Sequence, residues 1–379
     1  MDFNFSDEQN LLRDTVKRMV AEKIAPAAIE NDVEGKVAID SIKLLGDHEL
    51  LGLVVPEKYG GAGLDYVTYV MVNEEISRGD ISTTTILFTH TLGLTPILNF
   101  GSEEQKEKYL PPLAKGEKLT AFGLTEPSSG SDVSKTLTTA VLDGNEYVLN
   151  GTKHFISNAG VAETYSIFAS TDKSAGLKGL SCFIVEKGTP GFSFGSHHNK
   201  MGMRGAVAGE LIFEDCRIPA ENLVAGLGKG NAILMNGIFS SRPSVAAQGV
   251  GLAQGALDAA LSYAKTREQF GAPIIRHQAI QWKLADMYVD IDAGRGLLYK
   301  AARSLDENKK TWMMDATVAK LYCTEMSHRV VHSALQIHGG YGYMKDFPIE
   351  RLYRDQRILE LYEGTSEMHR WFIAAQLSR

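Results

Sequence analysis

Cysteine is scarce: Cys182, Cys216 and Cys323 are the only three, too few to pair completely and never spaced as CxxC. A disulfide framework and a thiol-ligated metal motif are excluded, and a reducing compartment, the cytoplasm, is the expected location. Basic charge is also short, with 39 Lys and Arg against 46 Asp and Glu, a formal net charge of −7 over 379 residues. Such a chain has no general attraction for nucleic-acid phosphates or anionic lipid, so neither is an expected partner. No run approaches the roughly 20 apolar residues that cross a bilayer. The opening MDFNFSDEQN is acidic where a targeting leader would be basic and then apolar, so a water-soluble protein with nothing to cleave is expected. The 11 prolines and 37 glycines form no low-complexity tract, which argues against disorder.

What is present is globular: 44% hydrophobic and 22% charged residues, in a chain longer than a usual single domain. Ser6 and Gln9 form a capping-box pattern, and Leu12, Val16, Met19 or Val20 and Ile24 recur at helical spacing until Pro26, which is expected to stop the run. Further helical periods at about 39–51, 66–78, 82–100 and 103–113 make residues 1–120 an all-helical domain. From 121 to 225 the texture changes to short β-prone runs, at 147–149, 165–168, 181–185 and 210–213, between Gly and Asp turns. Long helical periods return over 226–379, at about 230–266, 276–307, 311–337 and 364–377, with Pro243 a kink rather than an end. The expected architecture is α+β and multidomain: helices, a barrel-like β domain, then a four-helix bundle.

Several chemically suggestive spacings carry little. His328 and His332 are four apart on a helical stretch, but without an HExxH glutamate or a third ligand they read as ordinary helix histidines, and no metal is expected. The run Gly226-Leu227-Gly228-Lys229-Gly230 fits neither GxGxxG nor a P-loop and reads as the loop leading into the next helix. No GxSxG elbow occurs.

Five other strings carry more. Phe122 to Asp132 reads FGLTEPSSGSD, a turn rich in hydroxyls and exposed backbone donors; alone it is a Ser/Gly surface loop. Lys153 to Asn158 reads KHFISN, in which strand alternation places Phe155 and Ser157 on one face. REQFGAPIIRHQ supplies Arg267, a permanent charge matched to phosphate, with Phe270, Gly271 and Gln278. QIHGGYG holds Gln336, Gly339 and Gly340, where glycine permits close backbone approach. YEGTSE places Glu363 between Tyr362 and Gly364, followed by Thr365 and Glu367; a lone Glu is nearly always a solvated charge.

In this order, and over essentially the full length, the five strings resemble those of the acyl-CoA dehydrogenase family. The resemblance implies an FAD-dependent α,β-dehydrogenation of an acyl-CoA thioester to the 2-enoyl-CoA, with Glu363 as the base. It implies FAD contacts from Phe122, Leu124, Thr125, Gly130, Ser131, Phe155, Ile156, Ser157, Thr365 and Glu367. Gln336, Gly339 and Gly340 are further implied FAD contacts, and Arg267, Phe270 and Gln278 would reach the cofactor of a neighbouring subunit in a homotetramer, a dimer of dimers. Substrate contacts are implied for Ser131, Arg242, Tyr362 and Gly364, acyl-pocket walls for His90–Pro96 and Asn236–Ser240, and electron-transfer flavoprotein as the electron acceptor. An acyl-CoA oxidase or flavin monooxygenase of the same fold, or a non-catalytic scaffold binding flavin or CoA esters, is the rival reading. Three positions depart from the family pattern: Phe239 stands where Asp is common, Ser241 where some members carry their base, and Ala206-Val207-Ala208 where hydroxyls are usual. A short, branched or alicyclic acyl group is the expected substrate.

Overall fold

The computed structural model describes residues 5–378; the first four residues of the acidic opening lie outside them. Helix α1 (Asp7–Met19) begins at Ser6, whose hydroxyl accepts from the Gln9 N–H while the Gln9 side chain accepts from the Ser6 N–H. Pro26 does not end the run. A π turn over Val20–Ile24 carries the chain without a break into α2 (Ala25–Glu34), and Pro26 falls in the first turn of α2, directly after that widened turn. Helix α3 (Ile39–Asp47) is shorter than its pattern, because Glu49 adopts a left-handed φ of 59° and starts a 3-10 turn. Helices α4 (Tyr66–Gly79), α5 (Ile81–Phe100) and α6 (Glu103–Ala114) follow. In α5 every residue from Ile81 to Ile97 is buried, and its threonines turn their hydroxyls back onto preceding carbonyls.

The strands are β1 (Thr120–Gly123), β2 (Thr139–Asp143), β3 (Glu146–Ser157), β4 (Thr164–Ser170), β5 (Leu180–Glu186), β6 (Phe192–His197), β7 (Ala208–Pro219) and β8 (Leu223–Val224). They form one sheet of order β6-β7-β3-β2-β4-β5-β8, with β1 parallel to β4. The register of β3 on β7 shifts between Lys153 and Ile156, a bulge in the second motif. Strand β1 is tied to α5 by the Thr120 hydroxyl, which donates to His90 O at 2.6 Å, and by the Thr120 N–H, which donates to His90 Nδ1 at 3.2 Å.

Helices α7 (Gly230–Thr266), α8 (Gln278–Asp306), α9 (Trp312–His338), α10 (Ile349–Gln356) and α11 (Ser366–Leu377) complete the chain, α10 being absent from the periodicity reading. Pro243 lies inside an unbroken α7. Helix α7 packs on α4, α8 and α9. The approach to α4 is close: a Cβ on Gly251 would sit 2.1 Å from Glu74 O, and one on Gly255 2.4 Å from Arg78 O.

Candidate active site

Glu363 occupies the loop between the 3-10 turn at 357–360 and α11. Its φ is +53° and that of Gly364 is +93°, so two successive residues are left-handed. Glycine adopts this freely, whereas glutamate does so at a cost of about 1–2 kcal/mol, which surrounding contacts must offset. Those contacts come from three helices. Ser241 on α7 donates to Glu363 Oε2 at 2.8 Å. Lys320 on α9 donates to Gly364 O at 2.8 Å, and His369 on α11 lies 3.3 Å from Glu363 O. Burial pushes the Glu363 carboxyl above the usual range, while Ser241, Lys320 and Arg242 pull it back in part. The Glu363 N–H has no protein acceptor among the described residues.

Two of the implied substrate residues are engaged within the protein. Arg242 is buried; its Nη1 donates to Thr317 Oγ1 at 2.6 Å, and its guanidinium lies 3.9 Å from the Phe239 ring centre. Phe239, the departure from the family's Asp, thus meets the arginine through its ring face instead of a carboxylate. The Tyr362 hydroxyl is engaged with Gln248 Oε1, and its ring packs edge-on against Phe88 at 6.0 Å. Ser131, by contrast, is exposed on its loop.

Beside the Glu363 carboxyl is a small cavity lined by Tyr66 and Tyr69 from α4, Phe88, Thr91, Leu92 and Thr95 from α5, and Ser240, Ser241 and Ser244 from α7. It has room for a single water at most. Of the expected walls, Thr91, Leu92, Thr95 and Ser240 take part. His90 faces Leu113 O and strand β1 instead, and Asn236 pairs with Asn99 at 2.8 Å outside the cavity. The α4 tyrosines were not legible as lining. Among the described residues Glu363 is the one carboxylate bonded to a lining side chain; Asp306 meets the lining only at the Tyr66 backbone N–H.

The first two motifs meet through Lys153 and Glu126. Both are buried, their charges 2.7 Å apart, and Glu126 also accepts from the N–H groups of Leu137 and Thr138. Lys153 further donates to Leu124 O at 3.1 Å. This pair, missed in the sequence because one member sits in each motif, clamps the FGLTEPSSGSD loop to β3. At the bulge Phe155 takes a left-handed φ of +59° and is 64% exposed, so it is no core residue. Ser157 is half-buried beyond it, and the register shift between Lys153 and Ile156 interrupts the simple alternation between the two. The Ile156 side chain is buried in the core, which leaves only its backbone for a ligand. Phe122, Leu124 and Thr125 are half-buried and Gly130 is open.

A second cluster forms elsewhere. Arg267, Phe270, Gly339 and Gly340 line one groove of about 750 Å³, with the Arg267 guanidinium 5.3 Å from the Tyr341 ring centre. Phe270 is 96% exposed, and a Cβ on Gly339 or Gly340 would meet nothing within 4 Å. Gln278 and Gln336 are exposed just outside the lining. Thr365 accepts from the Met368 N–H as the cap of α11, with Glu367 in the first turn, near Glu363 and not near this groove. His328 Nδ1 is 3.0 Å from Glu360 Oε1.

Residues 6–117, 121–216 and 228–378 match, in turn, the N-terminal, middle and C-terminal domains of acyl-CoA dehydrogenase. The short-chain-specific acyl-CoA dehydrogenase of Clostridium acetobutylicum is 43% identical over 380 residues, covering 100% of both chains. Two solved structures superpose with a TM-score of 0.98 over 100% of both chains. One is butyryl-CoA dehydrogenase from Megasphaera elsdenii, 41% identical; the other, 44% identical, comes from work on the electron transferring flavoprotein of Acidaminococcus fermentans. An acyl-CoA dehydrogenase from Bacillus anthracis complexed with FAD is 34% identical, with a TM-score of 0.92 over 99% of this chain and 68% of that one.

Proposed function

The chain belongs to the acyl-CoA dehydrogenase family, shares its fold and depends on FAD, and from that premise we propose that it desaturates a short-chain acyl-CoA with Glu363 as the base. One observation carries this reading: the Glu363 carboxylate is hydrogen-bonded to Ser241, and Ser241 is itself a wall of the closed cavity. A carboxylate is thereby aimed at the place where a short acyl chain would be enclosed.

The chain's residues fit FAD at two ends. Phe155 offers an exposed ring at the bulge, beside the backbone donors of the Thr125–Ser131 loop that Lys153 and Glu126 hold in place. Arg267 and the two open glycines offer a cation and uncrowded backbone suited to a pyrophosphate. The two ends share no lining residue, which supports a cofactor shared between copies of the chain. Bound FAD supplies the acceptor for the hydride that leaves Cβ. Glu363 removes the α-proton, and its raised pKa brings it closer to the weakly acidic thioester than an ordinary carboxylate. The uncommitted Glu363 N–H suits the thioester oxygen, where negative charge grows as that proton leaves.

A short substrate is favoured because the cavity beside Glu363 is small and walled in part by Tyr66, Tyr69 and Leu92, and because the Clostridium acetobutylicum relative is short-chain-specific. Electron-transfer flavoprotein is the proposed acceptor, supported by the likeness to the Acidaminococcus chain. A tetramer is supported by Trp282, Tyr288 and Val289, which leave an exposed apolar stretch on α8. Anaerobic flavin bleaching by a panel of acyl-CoAs tests the reading. Fastest reduction by short acyl groups is expected, and no bleaching by any would overturn it.

A further inference from the structure

Beside the base lies a charge that the scheme above does not use. Lys320 is fully buried on α9, and its bond to Gly364 O is the only hydrogen bond its three N–H groups make among the described residues. An ammonium so placed loses far more hydration than one neutral carbonyl returns, and methionine would fill the same space without that cost. Packing therefore does not account for it.

The surrounding groups narrow its role. Glu325, on the same helix, is bound to Arg370 at 2.7 Å. Glu360, on the preceding turn, is engaged with His328 and Gln356, each at 3.0 Å. His369 on α11 is held neutral by burial and by the charges of Lys320 and Arg242. Arg242 on α7 has only Thr317 and aromatic rings as partners. Of the carboxylates that act on Lys320, Glu363 alone has no cation or imidazole bonded to it. Two buried cations thus face one carboxylate, and the cluster keeps a surplus positive charge even while Glu363 is ionised.

We propose that Lys320 is a positioning residue for the base: through Gly364 O it fixes the left-handed turn that aims Glu363, and through its charge it keeps that carboxylate ionised and favours the enolate. The inference rests on Glu363 being the base. Burial pulls Lys320 down to about 7, so it carries its proton below that pH. Removing the cation lets burial raise Glu363 further, so the base becomes ionised only at higher pH.

The test follows flavin reduction by the best acyl-CoA from about pH 5.5 to 8.5 in FAD-loaded Lys320→Met, Lys320→Gln and Lys320→Arg. The Met and Gln variants are expected to move the acid limb upward by about one unit or more, hence to be at least about tenfold slow near pH 6 and closer to normal at high pH. Gln shares the shift although it can still donate to Gly364 O, which separates charge from hydrogen bonding. Arg restores the limb. A 3-ketoacyl-CoA, which binds as its enolate, should lose about tenfold or more in affinity for the Met variant, while a saturated acyl-CoA does not. A limb left in place, with reduction slowed equally at every pH, would overturn the proposal and leave Lys320 a packing residue. If Met and Gln fail to fold, Arg decides alone: a normal limb supports the role and a displaced one refutes it. Undiminished reduction in Glu363→Gln would instead remove the base itself, a separate outcome.

Discussion

Ser241 and Glu363, 122 positions apart in the chain, meet side chain to side chain at 2.8 Å. The same serine hydroxyl lies 2.9 Å from Ile238 O. Having one proton, it can donate to the ionised carboxylate or turn to Ile238 O and accept from the protonated one. Both protonation states of the base therefore have a partner.

Replacing Glu363 by Gln keeps the shape and removes the base. Bound FAD and the native oligomer should persist, while flavin reduction falls by at least about a thousandfold. Stopped-flow reduction near the wild-type rate would remove Glu363 from the mechanism.

Lys153→Met leaves Glu126 buried with its backbone donors but without its cation. Losing one partner of such a pair should cost about 3–5 kcal/mol and slacken the flavin loop. Urea unfolding and the rate of FAD loss on dilution check this together; a variant unchanged in both would show that the pair clamps nothing.

Arg267→Ala should weaken FAD retention and subunit association in step, since the groove it lines stands apart from the Phe155 end. Full FAD in a monomeric variant, measured by light scattering and absorbance, would contradict the shared cofactor.

Among the described residues no carboxylate lines the acyl cavity, and Glu363 alone is bonded to one of its lining side chains. A substrate deuterated at the α, β and γ carbons should therefore lose label only from α and β, giving a plain 2-enoyl product or, from a ring, the 1-ene. Mass spectrometry of the product decides, and γ-label lost in turnover would mean another base.

The sequence made the long amphipathic helices and the five strings readable because periodicity and local chemistry report on neighbours along the chain. What it hid was assembled from afar. Lys153 and Glu126 look like unrelated surface charges until the β3 bulge brings them together, and Lys320 reads as one more helix lysine. Pro26 misled because the π turn directly before it, which residue spacing does not signal, carries the helix past the proline. Arg242 was legible as important but not as buried, since only the Phe239 ring beneath it shows how its charge is housed. Tyr66 and Tyr69 enter the site from a helix with no motif at all.

The glycine contacts between α7 and α4 bear on how this enzyme can diversify. With Gly251 and Gly255 set against the carbonyls of Glu74 and Arg78, the two backbones touch directly, and neither helix can slide without collision. The tyrosines and serines they carry into the acyl cavity therefore keep a fixed separation. A lineage adapting to a larger or smaller acyl group has one route open: exchanging the side chains that face inward, with the scaffold that holds them unmoved.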